Sequence, residues 1–262
     1  MKTRIIAGVC MVPLLIFVYL GGYPLMAVAL AVGIIGCHEL IKGFEALDIH
    51  ASRPIAFALL VLLYALDFAF PDDPAAIGAW LAASVIVSLL FLFKIDGHKA
   101  EDAVVTLFSV AYVGFLSFHI VLIDQLPEHG VLIWLVLITA FGTDIFAYFS
   151  GYFLGRHKLC PALSPKKTVE GAVGGMLGSA LLSVVFGLIF ARKILVHCLI
   201  IGLIGSVFAQ CGDLSASALK RRMGIKDYGN LIPGHGGILD RFDSVLFTAP
   251  FIYYYIRLAV LR

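Results

Sequence analysis

Residues 194–210 read ILVHCLIIGLIGSVFAQ, residues 211–244 read CGDLSASALKRRMGIKDYGNLIPGHGGILDRFDS, and residues 245–261 read VLFTAPFIYYYIRLAVL. Two apolar runs of near membrane length enclose a polar island. The island carries Asp213, Asp227, Asp240 and Asp243, the cations Lys220, Arg221, Arg222, Lys226 and Arg241, and a His-Gly-Gly turn at 235–237. A bare connection between spans does not need this density of charge, so the island is read as part of an active site. The apolar runs are continuous, whereas the strands of a membrane barrel alternate with a period of two, so the spans are expected to be helices.

The rest of the chain agrees. Of its 262 residues 61% are hydrophobic and 14% charged, and the mean hydropathy is +1.01. A soluble domain is nearer 45–50% apolar and about 25% charged, so this is an integral membrane protein. At about 20 residues per crossing, candidate spans fall at 5–21, 23–41, 54–70, 76–93, 104–124, 131–151, 171–190, 194–210 and 244–261. The expected fold is an all-α polytopic membrane protein with about nine transmembrane helices and two polar cytoplasmic loops. Residues 1–130 form an N-terminal transmembrane region and residues 131–262 a C-terminal catalytic one. Tight turns are expected at Gly21–Pro24, Pro71–Pro74 and Pro127–Gly130. The first run is expected to be retained rather than cleaved as a signal. Cys10, Cys37, Cys160, Cys198 and Cys211 are scattered without a CxxC pair, which points to neither disulfides nor zinc.

With the N-terminus inside, every Lys and Arg except Arg192, Lys193, Arg257 and Arg262 falls on the cytoplasmic side. That bias is the positive-inside pattern, and it places the loops 152–170 and 211–243 on one face.

Asp144 lies at the inner end of the sixth span and Asp213 at the end of the eighth. Carboxylates at such depth are expensive and mark functional sites. Asp240 and Asp243 are three apart and share a face of a helix. Converging carboxylates at a membrane boundary suggest Mg²⁺, which one or two carboxylates hold together with substrate phosphates. Helix capping, or pairing with nearby Lys and Arg, is the competing explanation. Ser164-Pro165-Lys166-Lys167-Thr168-Val169-Glu170 reads as a helix start capped by Thr168 or Ser164, and two lysines beside a helix N-terminus suit an anion. The glycines at 171, 174, 175 and 178 have the spacing of helix packing. Asp67, Asp124, Asp72 and Asp73 fall at outer ends and are expected to be solvated. Glu39, beside His38, is a candidate for lining a polar cavity.

These residues resemble the phosphatidate cytidylyltransferase (CDP-diacylglycerol synthase) family. The family signature matches from Ser217 to Asp243 through Ser217, Lys220, Arg221, Lys226, Asp227, Gly229, Pro233, His235, Gly236, Gly237, Asp240, Arg241 and Asp243. Further blocks match from Thr143 to Gly171 and from Gln210 to Ser217. The resemblance implies Mg²⁺-dependent transfer of the cytidylyl group of CTP to phosphatidate, giving CDP-diacylglycerol and pyrophosphate at the cytoplasmic face of a bacterial inner membrane. Asp144, Asp213 and Asp240, with Asp243 as a fourth, would hold the metal. Lys166, Lys167, Lys220 and Arg221 would hold the triphosphate or the lipid phosphate, and Lys226 and Arg241 either one. His235, Gly236 and Gly237 would contact nucleotide, and Thr168 and Ser217 complete the substrate-binding set. CTP, phosphatidate and the bilayer are the expected partners, with no nucleic acid and with a homodimer as an open option. Competing readings are a transporter or channel using the intramembrane carboxylates, a CTP-dependent lipid kinase, and a membrane scaffold. The D-G-x-x-A-R motif of enzymes that use CDP-alcohols is absent.

Overall fold

The structure, a computed structural model, describes residues 14–93, 97–126, 130–231 and 236–261. The helices are α1 (Gly22–Phe44), α2 (Arg53–Ala69), α3 (Pro74–Leu90), α4 (Ala100–Ser109), α5 (Leu116–Asp124), α6 (Ile133–Leu154), α7 (Val169–Phe190), α8 (Leu195–Arg222) and α9 (Leu239–Tyr255). A π-helical turn, Val110–Phe115, joins α4 to α5. An antiparallel hairpin is formed by β1 (Lys158–Cys160) and β2 (Ser164–Thr168).

Local chemistry sets several boundaries. Gly21 and Gly22 both take positive φ, 62° and 53°, which glycine adopts at no steric cost and which turns the chain into α1. Ser52 caps α2, its hydroxyl accepting the Ile55 N–H at 3.4 Å. Asp73 caps α3, accepting the Ala75 N–H at 2.8 Å. In both helices a proline follows in the first turn, where its missing N–H costs nothing.

The chain forms two compact units, residues 1–118 with 222–241 and residues 119–221 with 242–262. In the first, α1, α2 and the π turn pack closely. A Cβ on Gly36 would lie 2.8 Å from Val113, and one on Gly33 or Gly114 would press on Leu60 at 2.9 Å. Trp80 is fully enclosed, stacked on Phe115, and its indole N–H donates to Leu59 O at 2.7 Å. After α8 the chain returns to α1, where a Cβ on Gly43 would meet Met223 Sδ at 2.8 Å. In the second unit α6 and α7 form the tightest pair, and α9 stacks Phe251 on Phe208 of α8 at 4.6 Å between centroids.

Among the described residues, six helical segments are long and apolar enough to cross a membrane: Gly22–Leu47, Pro74–Phe93, Ala100–Asp124, Gly130–Leu154, Val169–Phe190 and Arg192–Arg222. They correspond to six of the nine expected runs. Two others fall short. α2 has 17 residues, about 25 Å at 1.5 Å per residue, against a hydrocarbon core of about 30 Å. α9 also has 17 residues, contains Pro250 and gives way to a π turn at Ile256–Val260. The run 5–21 lies mostly outside the described residues, as do Lys94, Pro127 and His235.

The polar segments are also less loop-like than expected. Residues 211–222 continue α8 without a break. Ser164 starts β2 instead of capping a helix, and Thr168 alone caps α7. Asp67 is buried, only 7% exposed, rather than solvated; it lies within electrostatic reach of Tyr64 in the same helix.

Candidate active site

Close approach of α6 and α7 is the foundation of the site. A Cβ on Gly171 would come 2.8 Å from Ala147 O, one on Gly175 2.9 Å from Thr143 O, and one on Gly178 would overlap the Phe146 ring. The glycine row of α7 therefore lies on the α6 backbone, as its spacing predicts. Asp144 sits on α6 beside this seam and is exposed to a cleft.

The β1–β2 hairpin is clamped to both helices. Lys158 pairs with Thr168 in register, and Val169 N–H donates to His157 O at 2.9 Å. Glu170, in the first turn of α7, accepts the Arg156 N–H at 3.0 Å and the His157 N–H at 3.2 Å. Its other oxygen meets His157 Nδ1 at 2.6 Å. The Thr168 hydroxyl accepts the Gly171 N–H at 3.1 Å. Lys166 and Lys167 are thus carried on a fixed strand rather than a mobile loop.

The polar extension of α8 supplies the third wall. Asp213 pairs through Oδ2 with Lys167 Nζ, and its Oδ1 accepts from Ser217 Oγ at 3.4 Å. The spacing Asp213, Ser217 puts both side chains on one face of the helix. Gln210, one turn earlier, donates from its amide to Ala172 O at 3.2 Å, tying α8 to α7. These elements line a cleft of about 630 Å³. It brings together Asp144, Asp213, Lys166, Lys167 and Thr168, five residues singled out from the sequence. It adds Lys158, Gln210, Tyr148 and Tyr152. Gln210 and Tyr148 stand in the matched sequence blocks, whereas Lys158 carries no motif signal beyond its charge and Tyr152 reads in the sequence as part of an apolar span.

Asp243 belongs to the same unit. A Cβ on Gly212 would lie 2.5 Å from Asp243 O, so α9 rests at Asp243 on α8, one residue from Asp213. Asp243 stands one residue ahead of the last apolar run. Burial pushes its carboxyl up to about 7; Asp213 and Asp144 push the same way and Lys220 opposes. Asp213, Asp144 and Lys220 are therefore each in electrostatic reach of Asp243. Arg221 follows Lys220 at the end of the helix.

The remaining described signature residues, Lys226, Asp227, Gly229, Gly236, Gly237, Asp240 and Arg241, belong to the first unit, and Pro233, like His235, lies outside the described residues. There Asp240 is buried, and its Oδ2 accepts the Tyr228 N–H at 2.8 Å and the Gly237 N–H at 3.0 Å. Gly236 has φ 84°, and a Cβ there would lie 2.7 Å from the same oxygen. Asp240 thus shapes the turn that precedes it. Glu39 is buried as well, accepting the Ile238 and Leu239 N–H groups at 3.0 and 2.8 Å. The acid at the end of an apolar run was a visible signal; its partners, some 200 residues away, were not.

The sequence matches the cytidylyltransferase family over residues 2–259. The chain belongs to the cytidylyltransferase family. Similar curated proteins include the phosphatidate cytidylyltransferase of Bacillus subtilis (strain 168), 35% identical over 98% of each chain. Those of Staphylococcus haemolyticus and Staphylococcus saprophyticus are 35% and 34% identical over 95% of each chain. The likeness runs through the N-terminal spans as well as the signature blocks. Membership makes the chain a nucleotidyltransferase.

Among the described residues no three His, Cys, Asp or Glu side chains stand at ligand spacing for a metal. The donor chemistry nevertheless fits Mg²⁺. The carboxylates are hard oxygen donors, their mutual repulsion favours a cation, and the Lys167 ammonium already bound by Asp213 occupies such a place. Mg²⁺ needs only one or two carboxylates when phosphates supply the rest.

Proposed function

We propose that the chain transfers the cytidylyl group of CTP to phosphatidate, giving CDP-diacylglycerol and pyrophosphate in phospholipid synthesis. The observation that carries this reading is the cleft of α6, the hairpin, α7 and α8, where Asp144 and Asp213 face Lys158, Lys166 and Lys167 in a membrane-embedded member of the cytidylyltransferase family. A phosphate oxygen of the lipid attacks the α-phosphorus of CTP, the bond from that phosphorus to the bridging oxygen breaks, and pyrophosphate leaves with the electron pair. Both reactants are anions. Fixed cations lower the repulsion and hold the reacting atoms in line. Lys166, Lys167 and Lys158 take the phosphate oxygens on the hairpin side, and Lys220 and Arg221 on the α8 side. Asp144, Asp213 and Asp243 would hold Mg²⁺, with Asp240 as a further candidate. Mg²⁺ would supply charge neutralisation at the transferring phosphoryl group. Lys167 released from Asp213 becomes a phosphate ligand. A phosphate monoester near neutral pH is already largely ionised, so the acceptor needs no strong base.

The Lys and Arg distribution supports a cytoplasmic N-terminus, nine crossings and a cleft facing the cytoplasm of a bacterial inner membrane. In this topology the short helices α2 and α9 cross with the help of flanking residues and local thinning of the bilayer.

The test is purified protein in lipid vesicles with phosphatidate, labelled CTP and Mg²⁺. The expected result is pyrophosphate release that requires phosphatidate and stops with a chelator. Release of CDP in its place would make the protein a lipid kinase, and ion flux without CTP would make it a channel.

A further inference from the structure

We infer that Glu39 is a positioning residue for the signature loop: from the N-terminal half of the chain it holds the Gly236–Leu239 backbone in its working shape. The claim rests on the proposed role of that loop in substrate binding. Glu39 is 5% exposed. One carboxylate oxygen accepts the Ile238 N–H at 3.0 Å, and the other accepts the Leu239 N–H at 2.8 Å. These amides open α9, where a helix leaves its first N–H groups without intrahelical partners and a negative charge is favoured. With Asp240 taking the Gly237 N–H, three successive amides all end on carboxylates. The loop backbone at 237–239 is thus shaped by two buried acids.

The fit is close on every side. A Cβ on Gly229 or on Gly237 would overlap the Glu39 carboxylate. Two signature glycines are therefore bare because Glu39 lies against them. A carboxylate is the group that suits this seat. Each of its oxygens accepts, whereas an amide would set an NH₂ group against one of the two donors. Hydrogen bonds to an ionised acceptor are also the stronger kind.

Hydrogen exchange and steady-state kinetics on the full chain in lipid nanodiscs test this. In Glu39→Gln the amides of peptides spanning 228–231 and 236–239 should exchange about tenfold faster, the loss expected for one charge-assisted bond. Exchange in α6, α7 and the hairpin should stay as in the parent. The kcat/KM for CTP should fall at least as far, while the thermal midpoint changes little. Gly229→Ala provides a second arm read by exchange alone. It should accelerate loop exchange in the parent and add almost nothing in a Glu39→Ala background, where the overlap is gone. Unchanged loop exchange in Glu39→Gln would overturn the inference. So would acceleration throughout the chain, which marks a general core residue. So would a loosened loop with kinetics intact, or additive effects in the Gly229 pair. If the parent protein releases no pyrophosphate, the proposed function fails, and the exchange arms still decide whether Glu39 holds the loop.

Discussion

Asp213 and Asp240 are both aspartates of the polar island, and their surroundings differ in kind. Asp213 faces the cleft and is held by Lys167 and Ser217. Asp240 is buried with one oxygen on two backbone amides. We predict that Asp240→Asn, measured by pyrophosphate release, loses ~10²–10³-fold in turnover with membrane insertion and thermal midpoint retained. Asparagine can still accept both amides, so near-parental activity in this variant would leave Asp240 a loop-shaping role alone. Asp243 supports a second prediction. Its carboxyl is pushed up to about 7 in the folded protein, above the ordinary aspartate value of about 3.9. The folded state then holds the proton that the unfolded chain releases, so stability without metal falls as pH rises between those values. A divalent cation competes with that proton. Added Mg²⁺ should raise the unfolding midpoint more at pH 8 than at pH 6, and Asp243→Asn should flatten this difference.

At the scale of elements, the seam between α6 and α7 fixes where the cleft walls stand. Gly178→Ala puts a methyl group into the Phe146 ring, and overpacking of this kind costs about 1–3 kcal/mol. Gly78 in α3 has open space around its Cα, so Gly78→Ala should be neutral or stabilising by up to about 1 kcal/mol. Thermal unfolding in one detergent compares the pair, and a Gly178→Ala protein as stable as the parent would remove the seam as a determinant of the site. Much at this scale was legible. The α7 glycine row, the Thr168 cap and the turns at Gly21–Pro24 and Pro71–Pro74 follow from side-chain size and backbone chemistry within a few residues. The hairpin was not legible, because its strands of three and five residues are too short for a period-two pattern. Nor was the helical extension at 211–222. Charge there reads as the end of a span, yet a helix continues through polar residues that its neighbours hold.

At the scale of the molecule, the positive-inside argument makes a prediction of its own. Ala162, exposed in the hairpin turn, becomes a topology probe as Ala162→Cys in a background free of other cysteines. A membrane-impermeant thiol reagent should label it in inside-out vesicles and leave it unlabelled in right-side-out ones. The reverse result would turn the whole topology over.

By itself the sequence determined that the chain is a helical membrane protein, that its charged residues concentrate in two polar segments, and that those segments carry a nucleotide-transfer signature. These are properties of composition and local order, which burial in lipid reads directly from each stretch of chain. Tertiary structure alone decided which of the signature residues meet. It set Lys167 against Asp213 and Asp243 beside Gly212, and it brought Glu39 to Ile238 and Leu239. Contacts across 30 to 200 residues depend on how helices pack, and in a membrane that packing follows shape and hydrogen bonding rather than hydropathy.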